Sequence, residues 1–79
     1  MTPNEIRDHL KVQPFRPFRV YVSGGASYEV RDPTFAYVTM SRLEIANEFA
    51  ENDIPTRSVY CDPHHITGIE PINGSAKPA

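Results

Sequence analysis

The sequence predicts a mainly β domain preceded by one short helix. Three observations predict it. Runs rich in Val, Ile, Tyr and Phe recur at short intervals, and Gly, Pro, Asn and Asp punctuate them. Only residues 2–11 join a helix start signal to a helical apolar spacing. Several short strands so spaced indicate an all-β barrel or sandwich. The 79 residues make one domain, and a chain this short buries only about 60–65% of the surface its unfolded form exposes. The domain is read over residues 1–72. Residues 73–79, "NGSAKPA", lack an apolar anchor and are read as a disordered tail.

The helix is predicted from "TPNE". Thr2 is placed to accept the backbone N–H of Glu5 while Glu5 reaches back, a capping box. Pro3 falls at the first helical position, where its missing N–H costs nothing. Ile6 and Leu10, four apart, form one narrow apolar stripe, so the helix packs on something rather than standing alone.

Strands are predicted at Phe18–Val22, Ala26–Arg31, Phe35–Met40, Leu43–Ala46, Arg57–Asp62 and Ile66–Ile72. The first hairpin can be registered. A two-residue loop at Gly24-Gly25 would set Val20 against Glu29 and Phe18 against Arg31, mixing apolar and charged groups on one face. A three-residue loop, Ser23-Gly24-Gly25, pairs Val22 with Ala26, Val20 with Tyr28 and Phe18 with Val30, and sets Arg19 against Glu29 on the other face. Gly25 then takes the left-handed position such loops require. The second register satisfies both faces and is the one predicted.

The duplicated triplet "PFRPFR", residues 14–19, reads as a stiff lead-in to the first strand. Pro17 cannot donate to a ladder and belongs at a strand start or edge, and each proline extends the residue before it. Phe15 and Phe18 are expected to bury their rings, with Arg16 and Arg19 left to solvent. "RDPTF" is a corner started by Asp32 and fixed by Pro33. Residues 47–57, "NEFAENDIPTR", read as a solvated loop with a turn of helix around Phe49.

The balance of charge excludes a basic footprint. Eight Lys/Arg face ten Asp/Glu, for a net charge of −2 and a pI near 5.8, whereas nucleic-acid binders carry a basic patch. No run approaches the ~18 apolar residues of a membrane span. "MTPNEIRDHL" has no apolar core and is not a signal peptide. The one cysteine, Cys61, allows no internal disulfide and fits a reducing compartment. A cytoplasmic protein is expected.

The stretch "CDPHH", residues 61–65, gathers ligand types: Cys61, Asp62, His64 and His65. If the two histidines begin a strand they point to opposite faces, and no second cysteine exists to close a zinc site. No metal and no cofactor are expected. A cysteine nucleophile beside His64 or His65 would also need an orienting group and an oxyanion site, which nothing in the sequence supplies. "SGGAS" lacks the lysine and the following helix of a phosphate-binding loop. Glu44, Glu48 and Glu51 are read as solvating, and no enzyme is expected.

"QPFRPFRVYVSGGASYEVRDPTFAYV" and "HHITGIEP" resemble a group of small bacterial proteins. Their pattern is a Pro-Phe-[Arg/Lys]-Pro-Phe-Arg entry, a glycine hairpin, a "YEVRxPxF" corner and a His-Ile-x-x-Ile-Glu ending. That group has no assigned activity, so the resemblance implies no mechanism. The commoner residue at its corner is His, where this chain has Asp32. The chain is also similar to the Sm-like fold, which implies an N-terminal helix and a small five-stranded bent-sheet barrel of SH3/Sm-like type. "FRVYVSGG" would be its first strand, "ASYEVRDPTFAYVTM" its long bent second strand, and "HHITGIEP" its short last one. The bacterial Sm-like RNA chaperone has Tyr-Lys directly before its final histidine, where this chain has Asp62-Pro63.

Three functions follow as expectations. The leading one is a non-enzymatic protein-interaction module, acting on an unidentified partner or on itself through a strand edge. The second is weak single-stranded RNA binding through Arg16, Arg19, Tyr21 and His64, since arginines and aromatic rings stack on bases; the acidic balance disfavours it. The third is a metal or thiol site at Cys61, His64 and His65.

Overall fold

The computed structural model describes residues 1–72; the stretch read as a disordered tail, 73–79, lies outside the described residues. The chain is mainly β. One helix, α1 (Pro3–Lys11), is followed by β1 (Phe18–Val22), β2 (Ser27–Val30), β3 (Ala36–Val38), β4 (Leu43–Phe49), β5 (Pro55–Cys61) and β6 (Ile66–Pro71). The strands form two three-stranded antiparallel sheets, ordered β2-β1-β6 and β3-β4-β5. Among the described residues no ladder closes one sheet onto the other. Among the described residues no helix is long and apolar enough to cross a membrane.

The helix starts as its sequence dictates. The Thr2 hydroxyl accepts the Glu5 N–H at 3.2 Å and the Glu5 carboxylate accepts the Thr2 N–H at 2.9 Å, with Pro3 in the first turn. Ile6 is fully buried and belongs to the core, and Leu10 packs half-buried against it. The helix thus supplies core volume that nine residues alone could not keep helical.

The first hairpin takes the three-residue register. Phe18 faces Val30, Arg19 faces Glu29, and Val20 faces Tyr28, while the Val22 N–H donates to the Ala26 carbonyl at 2.9 Å. Both loop glycines lie at positive φ, Gly24 at 98° and Gly25 at 103°, a region closed to most side chains. Phe18, Val20 and Val30 are buried; Val22 and Tyr28 pack half-buried against them. Leu43, Ile45, Cys61 and Ile66 complete the core from the second sheet and β6.

The stretch 26–40, one long bent strand in the Sm-like resemblance, is interrupted at the corner that "RDPTF" predicts. A 3₁₀ turn at Pro33–Phe35 separates β2 from β3 and carries the chain from the first sheet to the second. Asp32 caps that turn, accepting the Thr34 N–H at 2.9 Å. In the lead-in, Phe15 is half-buried with its ring centroid 5.9 Å from that of Phe18, and the Pro17 carbonyl accepts the Ile72 N–H at 3.0 Å.

Residues 47–57 correct the loop expectation. β4 runs on to Phe49 and β5 begins at Pro55, so these residues form the outer arm of a hairpin whose tip is the turn Glu51–Asp53. Every residue from 47 to 57 is exposed, so no apolar alternation marks the arm in sequence. Backbone pairing holds it instead: Ala46 faces Ser58, Glu48 faces Arg57 and Phe49 faces Pro55, with register shifts on either side of Glu48. Phe49 stacks on Phe35, their centroids 4.8 Å apart. The last strand starts at Ile66, as its sequence range gives, so the histidines precede it instead of opening it. Pro63–His65 is a 3₁₀ turn capped by Asp62, and β6 begins after it.

Burial ranks the side chains by their cost of removal. Phe18→Ala should destabilise the protein by about 3–5 kcal/mol and Ile6→Ala by about 2–5 kcal/mol. Arg19→Ala, which breaks one cross-strand pair at the surface, should cost under about 1 kcal/mol. Urea unfolding of the three variants checks this, and comparable midpoints for Phe18→Ala and Arg19→Ala would show that the faces of β1 are reversed.

Candidate functional site

The residues expected to bind RNA sit on three separate elements. Arg19 and Tyr21 share the outer face of β1, the central strand of its sheet. Arg19 is not left to solvent as the sequence implied: its guanidinium bonds the Glu29 carboxylate directly across the ladder. Arg31 reaches the other oxygen of Glu29 at 2.6 Å. The Tyr21 hydroxyl donates to Glu70 on β6. The outer face of the first sheet is therefore a closed polar network, in which both predicted side chains already hold carboxylates.

Arg16 lies apart from them, exposed at the edge of a groove between α1, the lead-in and β6. That groove has Val12, Pro17 and Ile69 as apolar lining and Glu5 and Asp8 as acids. His64 lies on the capped turn before β6. Asp62 accepts its N–H at 2.9 Å and sits 3.2 Å from its Nδ1.

Cys61 and the histidines do not converge. Cys61 is buried in the core, and burial pushes its thiol pKa up, the opposite of what a nucleophile needs. His64 and His65 are exposed, and the His65 carbonyl accepts the Ser23 N–H at 2.8 Å. Among the described residues no three His, Cys, Asp or Glu side chains group to hold a metal ion.

A second surface, which the sequence reading missed, lies on the outer face of β3-β4-β5. Tyr37, Glu44 and Tyr60 stand in one row across the three strands, Glu44 in the middle. Tyr37 is 68% exposed and Tyr60 61%, and Met40 beside the β3–β4 turn is 82% exposed. The Arg42 guanidinium carbon lies 4.5 Å from the centroid of the Tyr60 ring. Glu44, expected to be a solvating residue, is half-buried and accepts the Ser58 hydroxyl at 2.9 Å. The signal for this row was present in "AYV" and "SVYC", where each tyrosine alternates with residues that face the core. Tyr, Met and Arg are the residue types enriched at interface centres.

Comparison of the chain with protein-family models, with curated proteins and with solved structures gives no match. The resemblance to small bacterial proteins therefore stays an expectation drawn from the motifs.

The carboxylates of the caps and of the first sheet make the fold sensitive to acid. The hydrogen bond from Arg19 holds the Glu29 carboxyl below its ordinary value of 4.5. The cap hydrogen bonds lower Glu5, Asp32 and Asp62 likewise. A carboxyl with a lowered folded-state pKa stabilises the fold fully above its unfolded value, and loses that contribution as the pH falls through the folded one. Stability should therefore decline as the pH drops below 4.5. Glu29→Gln should make that decline shallower without abolishing it. Urea unfolding at neutral pH and at several acid values measures the slope, and an unchanged slope in Glu29→Gln would remove the Arg19–Glu29 pair from the account.

Proposed function

We propose that the chain is a non-enzymatic protein-interaction module that associates, with its own copies among others, through open strand edges. The fold beneath it is read as a five-stranded SH3/Sm-like barrel left open on one side. β2 and β3 then count as the two halves of one bent strand, joined at the Asp32-Pro33 corner. This reading gives the strand order β6-β1-β2/β3-β4-β5 and leaves β5 and β6 as the free edges.

The observation that carries the proposal is the β5 edge. It runs seven residues at the margin of its sheet; Pro55, Arg57 and the register shifts beside Glu48 guard its first half, while Ser58–Cys61 carry neither charge nor proline. Natural edge strands are shortened, bulged inward or charged to prevent pairing with another chain. β6 is similarly plain, with Glu70 its one charge. The helix directs its apolar residues Ile6 and Leu10 to the core.

RNA binding through Arg16, Arg19, Tyr21 and His64 is the weaker reading, since Arg19 and Tyr21 are engaged by Glu29 and Glu70. A thiol or metal activity at Cys61, His64 and His65 is weaker still, given the buried thiol and the exposed, separated histidines.

Light scattering across a concentration series tests the proposal. The full chain should form dimers or larger assemblies. The double variant Thr56→Lys/Thr67→Lys, which places a charge on each edge, should return to monomer with little change in melting temperature. A full chain that stays monomeric throughout would overturn self-association. Tight, salt-resistant binding of short uridine-rich RNA by fluorescence anisotropy would favour the RNA reading instead, because contacts to so few phosphates predict a shallow slope of about −0.7 per contact.

A further inference from the structure

The free margin of β5 has a fixed phase. The Thr39 N–H donates to the Arg42 carbonyl at 2.8 Å across the β3–β4 turn. Bonded and unbonded pairs alternate along an antiparallel ladder. With Val38 facing Leu43 and Tyr37 facing Glu44, the Glu44 backbone therefore turns to β3, and the backbones of Leu43 and Ile45 turn to β5. There they meet Cys61 and Val59. The N–H and C=O of Ser58 and Tyr60 are left pointing out of the sheet, on the side where β5 has no neighbour. Among the described residues no backbone bond from another element reaches either of them. The margin also has a centre. Pro55 and Pro63 bound it, and half-buried Val59 lies midway between them.

We infer that two copies of the chain pair antiparallel along β5, with a twofold axis beside Val59. The inference rests on the reading of the chain as self-associating through a strand edge, and names the edge, the symmetry and the register. Ser58 of each copy then exchanges backbone bonds with Tyr60 of the other, and the two sheets become one. Val59 faces Val59 of the second copy at an unbonded position, where Cα atoms approach to about 4.5 Å. The two Tyr60 rings, each 61% exposed in the single chain, become diagonal neighbours about 7–8 Å apart, within reach of aromatic side chains. Arg57 stands opposite Cys61 of the second copy, one residue from its Asp62, which sets opposite charges at each end. Pro55 stands opposite Pro63, and the ladder stops there because neither has an N–H to give. Other registers lose this match. A shift of two residues toward the arm makes the two Arg57 side chains diagonal neighbours. The opposite shift sets Ser58 against Asp62, whose carbonyl already accepts the His65 N–H at 2.9 Å.

Disulfide trapping tests the register, because Cα atoms about 4.5 Å apart lie within the span of a disulfide. Val59→Cys should cross-link to a dimer under mild oxidation, whereas the natural chain, with Cys61 buried, should not. Thr67→Cys, on the β6 margin, should stay uncross-linked both alone and when mixed with Val59→Cys. Sedimentation equilibrium gives a second readout that needs no introduced thiol. Tyr60→Ala should raise the dimer Kd about three- to tenfold, and Tyr37→Ala, in the same row but away from the axis, should leave it unchanged. The inference is overturned if Val59→Cys, shown folded by its amide spectrum, stays uncross-linked. It is overturned equally if the cross-link needs Thr67→Cys as its partner, or if Tyr60→Ala and Tyr37→Ala act alike. Assemblies seen by light scattering without the Val59→Cys cross-link would sink this pairing and leave association through another edge standing. A chain monomeric at every concentration would sink both.

Discussion

The register of β1 is the constraint on which the rest of the structure depends. β1 pairs on both sides, with β2 and with β6, so the phase chosen by one three-residue loop governs a whole sheet. With Val20 opposite Tyr28 and Ile69, and Arg19 opposite Glu29 and Glu70, apolar and charged side chains are sorted to opposite faces in all three strands at once. A slip of one residue would turn Phe18 and Val20 outward and drive Arg19 into the core. Gly24 and Gly25 hold the phase, because positive φ at both closes the loop without strain. A second tie lies at the same end of the strand, where the Ser23 N–H donates to the His65 carbonyl and fixes the entry to β6.

A repeated local device supplies the changes of direction. Thr2-Pro3, Asp32-Pro33 and Asp62-Pro63 each place a side-chain oxygen before a proline. Each oxygen accepts an N–H two or three residues on, from Glu5, Thr34 and His64 respectively. Proline fills the position whose N–H has no partner, so one oxygen and one ring satisfy the start of a turn. The first instance starts the helix, and the other two are followed at once by β3 and β6. In a chain with a small core, these sharp, self-satisfied corners let short strands follow one another without long loops whose backbone groups would need other partners. Two of the three oxygens belong to carboxylates, and Glu5 answers Thr2 with a third. Acid therefore acts on the corners as well as on the first sheet.

Those features were legible because each is local. The hairpin phase follows from placing two glycines against alternating Val, Tyr and Glu, and the caps follow from residue types at fixed spacing. The arm from Asn47 to Arg57 was not legible for the opposite reason. Its strands are held by backbone pairing with bulges beside Glu48 and bury nothing, so neither alternation nor an apolar run marks them. The last strand was legible at Ile66, but the turn of 3₁₀ helix at Pro63–His65 before it was not, because Asp62-Pro63 was read only as a turn. The partners of Arg19 and Tyr21 were only partly legible. Sequence shows that Arg19 faces Glu29, but not that Arg31 and Glu70 complete the network around them. The tyrosine row across the second sheet needed the pairing of β3, β4 and β5, which no single segment encodes.

The contrast between the two outer faces bears most directly on function. On the first sheet the carboxylates Glu29 and Glu70 meet Arg19, Arg31 and Tyr21, and the face offers a ligand little that is unsatisfied. On the second, two exposed tyrosines flank Glu44, which accepts the Ser58 hydroxyl and has no ion pair among the described residues. Leaving large aromatic side chains in water forgoes the stabilisation their burial would give, and Tyr37 and Tyr60, more exposed than Tyr21 on the first sheet, both stand on this face. The same sheet carries the long, lightly charged β5 edge. Face and edge meet at Tyr60, whose side chain belongs to the row while its backbone belongs to the margin. A strand added beside β5 would therefore extend the surface that Tyr37, Glu44 and Tyr60 begin.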